Sequence, residues 1–89
     1  MKVGRYMVND FNAHNFYLIV GENIEKYRKL QNDSLQSLAE KMGVTKKTVH
    51  RYERAEIRIS IEKLIQVAII LNTTVEQLTN GILSYDKTI

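Results

Sequence analysis

The feature that most restricts the fold is the spacing of Ala39, Gly43 and Val49, which lie four and six positions apart. Ala39 is small enough for two helix axes to come close together, and Gly43 permits a tight turn through positive φ. Val49 is then placed to fill the core that both helices share. The spacing predicts two consecutive helices that meet at a steep angle across a short turn.

The composition favours a single helical domain. The chain has 89 residues, no proline and four glycines, which is typical of helices joined by short turns. Because there is no cysteine, disulfides and thiolate zinc sites are excluded, and apolar packing must hold the core. No apolar run approaches the ~20 residues of a membrane helix, and no secretory signal is expected. We therefore expect a cytoplasmic protein that does not contact a membrane.

Periodicity and capping residues predict five helices. Apolar residues recur at intervals of three and four over residues 16–31, which predicts helix 1, and Gly43 is expected to end helix 2. The N-caps expected for helices 2 to 5 are Ser34, Thr45, Ser60 and the pair Thr73 and Thr74. The β-branched run at 67–71 is also compatible with a strand, but its spacing and the preceding cap favour a helix.

The same periodicity assigns an inner face to each helix. On helix 3, Thr45 and Tyr52 lie within about 60° of Val49, on the buried side of the helical wheel. The positions expected to face inward are Val20, Ile24, Tyr27, Leu30, Leu35, Leu38, Ala39, Met42, Val49, Tyr52, Ile61, Leu64, Ile65, Ala68, Leu71, Val75 and Leu78.

Positive charge is concentrated between positions 41 and 58. This stretch carries six cations and two anions, a local charge of +4 against +3 for the whole chain. On the wheel of helix 3, four of its charged or ionisable residues gather opposite the buried side: Lys47, His50, Arg51 and Arg54. Such a flank is typical of a face that binds a polyanion, and a merely solvated basic surface is the alternative.

Residues 20–78 resemble the Cro/cI-like (XRE, lambda-repressor-like) helix-turn-helix family. The resemblance comprises Arg28 in helix 1 and the runs SLQSLAEKMGV at 34–44, TKKTVHRYE at 45–53 and SIEKL at 60–64. It implies an all-α fold of five helices, with the helix-turn-helix at helices 2 and 3. It also implies that Arg28 and Glu53 form a partly buried ion pair that orients helix 3.

The chain departs from the family pattern at three positions. Leu35, Ala55 and Ile59 stand where Gln, Gly and Pro are common among members.

With the family core placed in the middle of the chain, we expect three parts: an N-terminal extension at residues 1–18, a helix-turn-helix domain at 19–83 and a C-terminal tail at 84–89.

Helix 3 is expected to lie in the major groove of duplex DNA, because the second helix of a helix-turn-helix offers its N-terminal residues to base edges. Lys47 and Arg51 are predicted to read bases, with guanine N7 and O6 as natural acceptors, while Lys46 and His50 assist them. The residues predicted to contact phosphates are Ser34, Thr45, Thr48, Arg54 and Arg58.

These features predict a sequence-specific transcriptional regulator, a small repressor that binds a near-palindromic operator as a homodimer and needs no cofactor. An enzyme is not expected, because no hydroxyl is accompanied by a base and an orienting group. His14, predicted to lie in a loop, and His50 are too isolated to suggest a metal site. Two alternatives are an antitoxin-like or regulator-subunit module with a protein partner and secondary DNA binding, and a nonspecific architectural protein.

Both ends of the chain carry apolar residues with no assigned role. Residues 1–18 are compatible with packing onto helix 5 or across a dimer, with an arm whose Lys2 and Arg5 reach DNA, and with a partly disordered terminus. At the other end, a small dimer surface or a seal on the monomer core would be formed by Ile82, Leu83, Tyr85 and Ile89.

Overall fold

The computed structural model describes residues 12–81, which form five α-helices: α1 Ala13–Leu30, α2 Leu35–Met42, α3 Lys46–Glu53, α4 Ile61–Ile70 and α5 Val75–Leu78. The all-α, five-helix fold is confirmed. Within these residues there is no strand, so the strand alternative for 67–71 is wrong. Of the expected N-terminal extension at 1–18, residues 1–11 lie outside the described residues, while residues 12–18 form the cap and the start of α1, where Phe16 and Tyr17 pack against the core. The expectations for the C-terminal residues 82–89 also lie outside the described residues.

Helix α1 begins three residues earlier than the predicted position 16. Asn12 caps it by accepting a hydrogen bond from the Asn15 amide at 3.1 Å. His14 therefore lies on an exposed part of a helix, and its prediction as a loop residue is wrong. The apolar periodicity missed this first turn because the turn is mostly polar, and the cap is what defines it.

The other four helices begin at the predicted caps. The amides three residues further on donate to side-chain oxygens of Ser34, Thr45, Ser60 and Thr74 at 3.0–3.1 Å. Each cap satisfies one backbone donor that the first helical turn leaves without a partner. The starts of α2 to α5 are thus set by local sequence.

The turn between α2 and α3 has the predicted form. Gly43 adopts φ 73° in the left-handed region, and the Val44 amide donates to the Ala39 carbonyl at 3.0 Å. Ala39 and Val49 are both almost fully buried between the two helices. The spacing in the sequence therefore marks a real helix-turn-helix.

The core differs from the predicted pattern in α1 and α4. Leu30, Ile61 and Ile65 were expected to face inward but are exposed, whereas Val67 is completely buried. Helix α4 is apolar on more than one side, so periodicity alone does not choose the inner face. The buried hydrophobic set is Val20, Ile24, Leu38, Ala39, Met42, Val49, Ile59, Leu64, Val67, Ala68, Leu71 and Leu78.

No helix among residues 12–81 is long and apolar enough to cross a membrane.

Candidate nucleic-acid interface

Helix α3 presents one buried side and one charged side. Val49 and Glu53 are buried, while Tyr52 is partly buried against the core. The opposite side carries exposed residues that we call the cationic flank: Lys46, Lys47, His50, Arg51 and Arg54. Thr45 was expected on the buried side but is exposed, because it is the N-cap and lies outside the regular helix.

Most of the cationic flank has no partner within the described part of the chain. Only Arg51 makes an ion pair there, with Glu56 at 4.0 Å, and both side chains are about half exposed. An ion pair this long and this exposed to solvent contributes little to stability, so Arg51 can readily exchange Glu56 for another anion. Residues 12–81 also contain no group of three His, Asp or Glu side chains that could hold a metal. The flank is therefore available to a polyanion.

Two hydroxyls lie at the start of α3, beside the flank. The Thr45 and Thr48 hydroxyl oxygens are 2.8 Å apart, and Thr45 also accepts from the Thr48 amide. Because one hydroxyl proton serves this contact, the other is free to donate to an external acceptor. Ser34 is exposed at the start of α2 and accepts from the Ser37 amide. Both helix starts thus combine a hydroxyl with free backbone donors.

Besides Arg51, two of the six cations counted in the sequence contact other side chains. The Lys41 ammonium lies 3.1 Å from both carboxylate oxygens of Asp33. Together with a hydrogen bond from Ser37, this contact lowers the pKa of Asp33 below its usual value. The Arg58 guanidinium lies 5.3 Å from the centre of the Tyr17 ring, within range of a cation–π contact. With Lys41 held by a carboxylate, the available positive charge lies on α3 and on the exposed residues Arg54 and Arg58 that follow it.

A buried ion pair fixes the inner side of α3. Arg28 donates from Nε to Glu53 Oε2 at 2.7 Å and from Nη2 to Oε1 at 3.2 Å, while its Nη1 donates to the Asp33 carbonyl at 2.9 Å. The hydrogen bond to Glu53 raises the pKa of Arg28, and both residues are buried. A two-pronged contact of this kind restricts orientation as well as distance. The pair therefore holds the end of α3 against α1 and the turn that follows α1.

Gly21 is a positioning residue that the sequence interpretation missed. A Cβ at this position would collide with the Glu53 carbonyl oxygen and lie 2.7 Å from the Tyr52 carbonyl oxygen. The backbone of α1 thus approaches the last turn of α3 more closely than any other residue type allows. A glycine in the middle of an otherwise regular helix costs about 1 kcal/mol relative to alanine. Its presence at position 21 was therefore the sequence signal for a close contact there.

Comparisons with known proteins agree with this geometry. Residues 24–78 match the helix-turn-helix family HTH_3. Control protein C.SmaI of Serratia marcescens is 37% identical over 60 residues, covering 67% of this chain and 71% of that protein. The HTH-type transcriptional regulator SinR of Bacillus licheniformis is 38% identical over 63 residues, covering 70% of this chain and 57% of SinR.

A solved structure of SinR, the master regulator for biofilm formation, in complex with DNA is also similar. Its TM-score is 0.61 at 38% identity, and the match covers 66% of this chain and 95% of that chain. The family match contains Arg28, the turn at Gly43 and the whole of α3. The chain therefore belongs to the HTH_3 family of XRE-type helix-turn-helix transcription regulators, with α2 and α3 as its DNA-binding motif.

Proposed function

We propose that this protein is a small repressor that binds one class of DNA sequence by placing α3 in the major groove. The observation that carries the proposal is the cationic flank, which is exposed while the opposite side of α3 is clamped by Arg28 and Gly21. A major groove about 12 Å wide admits a helix of this size. A rigidly held helix with a free cationic side can present fixed donors to base edges.

Within the flank, Lys47 and Arg51 are the proposed base-reading residues. Both lie in the first two turns of α3, where a helix in the groove comes nearest to the bases. Guanine N7 and O6 suit these donors, and a bidentate contact discriminates by about 1–3 kcal/mol against another base. Lys46 and His50 flank them and assist.

Phosphate contacts are proposed for Ser34, Thr45, Thr48, Arg54 and Arg58. Ser34 and Thr45 stand at the starts of α2 and α3, where backbone amides and the helix dipoles favour an anion. Arg54 and Arg58 follow α3 and are exposed, with Arg58 steadied by Tyr17. These contacts set the position of α3 without reading sequence.

We further propose that the protein acts in the cytoplasm as a homodimer without a cofactor. One short helix contacts few base pairs, so two copies on half-sites about 34–36 Å apart are needed for high specificity. The operator is then near-palindromic, and occupation of a promoter blocks transcription. The similarity to SinR, whose structure was solved with DNA, supports the mode of binding.

The proposal is tested by selecting duplexes from a random pool with the purified full chain. We expect enrichment of a two-fold symmetric site. At fixed salt, Lys47→Ala and Arg51→Ala should each weaken binding to that site about 5- to 150-fold and relax preference at one base pair per half-site. Lys26→Ala, which removes an exposed cation of α1, is the matched control and should leave the preference unchanged.

Two results would contradict the proposal. Equal binding of selected and random duplexes would instead indicate the nonspecific architectural alternative. Unchanged operator affinity in both α3 variants would show that this helix does not read bases.

A further inference from the structure

The turn after α5 contains an asparagine followed by a glycine, Asn80 and Gly81. Asn80 is exposed, and its backbone is held in place: its amide donates to the Gln77 carbonyl at 3.3 Å, and its carbonyl accepts from the Asn23 side chain at 2.9 Å. By contrast, the Asn80 side-chain amide and the Gly81 backbone amide have no hydrogen-bond partner within residues 12–81.

These two free groups are the reactants of asparagine deamidation. The nucleophile is a backbone amide nitrogen that has lost its proton, and the electrophile is the Cγ atom of the asparagine before it. A hydrogen bond from that amide to a carbonyl retains the proton and fixes the nitrogen, so it protects the preceding asparagine. A side chain on the following residue obstructs the approach of the two atoms, and glycine has none.

The other described asparagines lack this combination. Asn32 and Asn72 also lie exposed in turns, but the amide that follows each of them donates to a carbonyl of the preceding helix, at 3.0 and 2.8 Å. At the cap of α1 and inside it, the side chain or the following amide is hydrogen-bonded at Asn12, Asn15 and Asn23. Among residues 12–81, the fold therefore leaves both reacting groups free at Asn80.

We propose that Asn80 is a site of spontaneous deamidation, at which the folded chain is slowly converted to aspartate and isoaspartate. The Gly81 nitrogen loses its proton to hydroxide and attacks Asn80 Cγ. A bond forms between these two atoms, the Cγ–Nδ2 bond breaks, and ammonia leaves with a proton taken from water. This inference goes beyond the proposed function and does not depend on it, because no residue of the cationic flank takes part.

Water completes the reaction. The five-membered cyclic imide has two carbonyl carbons, and water adds to one of them. Addition at Cγ reopens the ring to aspartate and leaves the chain path unchanged. Addition at the original backbone carbonyl gives isoaspartate, in which the chain runs through Cβ and Cγ. Either product carries one more negative charge than the original protein.

Isoaspartate alters a contact that joins α5 to α1. The Asn23 side chain donates to the carbonyls of Leu78 and Asn80, each at 2.9 Å. In isoaspartate the second acceptor belongs to a free carboxylate, and the path to Gly81 is one carbon longer. Gly81 lies against α1, because a Cβ at this position would be 3.4 Å from Ile19 Cγ2. The longer path therefore displaces Gly81 from α1.

Peptide mass spectrometry of the full chain, stored at neutral and at mildly alkaline pH in isotopically labelled water, follows the reaction. We expect one labelled oxygen to enter the peptide that contains Asn80, at a rate that rises with hydroxide concentration. Asn32 and Asn72 are internal controls and should stay unmodified. Asn80→Gln keeps an amide side chain but requires a larger ring, so it should abolish labelling at this position.

The same measurement in urea tests the role of the fold. In the folded chain, modification at Asn32 or Asn72 must wait for the turn to open, so unfolding should accelerate it about tenfold or more. The rate at Asn80 should change little, because its reacting groups are already free. The proposal is overturned if Asn80 stays unlabelled in the folded chain while it reacts in urea, or if unfolding accelerates all three sites equally.

The thermal unfolding midpoint tests the consequence for the contact with Asn23. Ion exchange separates the modified forms by their added charge, and an isoaspartate-specific methyltransferase identifies the isoaspartate form. Its midpoint should lie a few degrees below that of the original protein, because the link between α5 and α1 is weakened. Asn80→Asp has the same charge on the original chain path and is the matched control. Equal midpoints for the isoaspartate form and Asn80→Asp would refute the displacement of Gly81.

Discussion

Arg28 is the residue at which three parts of the molecule meet. Its guanidinium holds the Glu53 carboxylate at the end of α3 and the Asp33 carbonyl in the turn after α1. Removing two charges from water is costly, so the pair adds little to stability compared with well-packed apolar residues. Its value lies in fixing where α3 ends relative to α1. The Arg28 side chain therefore orients α3 without lying on the cationic flank.

Glu53→Gln should be strongly destabilising, because it leaves a guanidinium that is 9% exposed without its anion. We expect a loss of about 3–5 kcal/mol in the free energy of unfolding, measured by urea denaturation. The double variant Arg28→Met with Glu53→Leu should be less destabilised than Glu53→Gln. As a control, Lys29→Met removes the exposed pair with Glu25 and should cost about 0.3–0.5 kcal/mol. Equal effects of Glu53→Gln and Lys29→Met would show that the buried pair is not what holds α3.

Gly21→Ala tests the close approach of α1 to α3. The substitution has two opposing effects on the free energy of unfolding. Helix propensity alone predicts a gain of about 1 kcal/mol, whereas the collision with the Glu53 carbonyl predicts a loss of about 1–3 kcal/mol from overpacking. Backbone atoms cannot move aside as a flexible side chain can, so we expect net destabilisation and weaker operator binding. Chemical denaturation and a binding titration measure the two quantities. A more stable Gly21→Ala variant would contradict the contact.

Four of the helices share one way of ending. After α1 to α4 the chain turns through positive φ at Asn32, Gly43, Ala55 and Asn72. In each case the next amide reaches back to the carbonyl five residues earlier, at 2.8–3.0 Å. The amide of the positive-φ residue itself also donates, to the carbonyl three residues earlier. This pair of hydrogen bonds satisfies carbonyls that the last helical turn leaves free. Glycine and asparagine suit it, whereas alanine does so only at a cost.

Ala55 adopts φ 58°, the left-handed conformation expected of the glycine that is common there in the family. Its Cβ costs about 1–2 kcal/mol in this conformation, and glycine would lose about 0.4–1 kcal/mol through greater freedom in the unfolded chain. Ala55→Gly should therefore stabilise the domain by about 0.5–1 kcal/mol. That gain raises the midpoint of thermal unfolding by a few degrees. An unchanged or lower midpoint would show that the turn after α3 is not strained by the side chain.

The Asp33–Lys41 contact joins the turn after α1 to the last turn of α2 and makes stability depend on pH. The pKa of Asp33 is lowered in the folded state. The contact therefore contributes to the free energy of unfolding at pH values above the ordinary aspartate pKa of about 3.9. It is lost as the pH falls through the lowered folded-state pKa. The stability difference between the original protein and Asp33→Asn should thus be largest near neutral pH and shrink in acid. Thermal unfolding from pH 7 to pH 2 measures it, with Glu25→Gln as the exposed control, and a pH-independent difference would contradict the contact.

Considered as a whole, the molecule separates its surfaces by chemistry. The cationic flank lies on and just after α3, the exposed apolar residues Ile61, Ile65 and Ile69 lie on α4, and one core joins the two helices. Positive charge aimed at a polyanion makes binding sensitive to salt, because each neutralised phosphate releases counterions. The affinity of the cationic flank for a polyanion is therefore expected to depend on the salt concentration.

Operator affinity should fall steeply with salt. If a dimer neutralises six to ten phosphates in all, its affinity drops about 10³- to 10⁵-fold between 50 and 200 mM salt. Arg54→Ala and Arg58→Ala should each make the logarithmic slope shallower by about two for a dimer, because each removes one contact per copy. Lys26→Ala, the control cation on α1, should leave the slope unchanged. If the slope of each arginine variant equals that of the original protein, these two residues do not contact phosphates.

Local sequence was enough to predict five helices, four of the five caps, the turn at Gly43 and the outward direction of Lys47 and Arg51. These features depend on hydrogen bonds and angular spacing between residues a few positions apart, which any chain with this sequence would repeat. The link between Arg28 and Glu53 came from the family resemblance, since 25 positions separate the two residues.

The remaining features required the folded arrangement. The packing of the helices decides which side of α4 faces inward and how closely Gly21 approaches α3. It also decides that Asp33 pairs with Lys41. An apolar helix can bury either of two faces at similar cost, and the choice is made by the shape of the core that receives it. Distances between segments far apart in the chain arise from that packing, which no pattern along a single helix encodes.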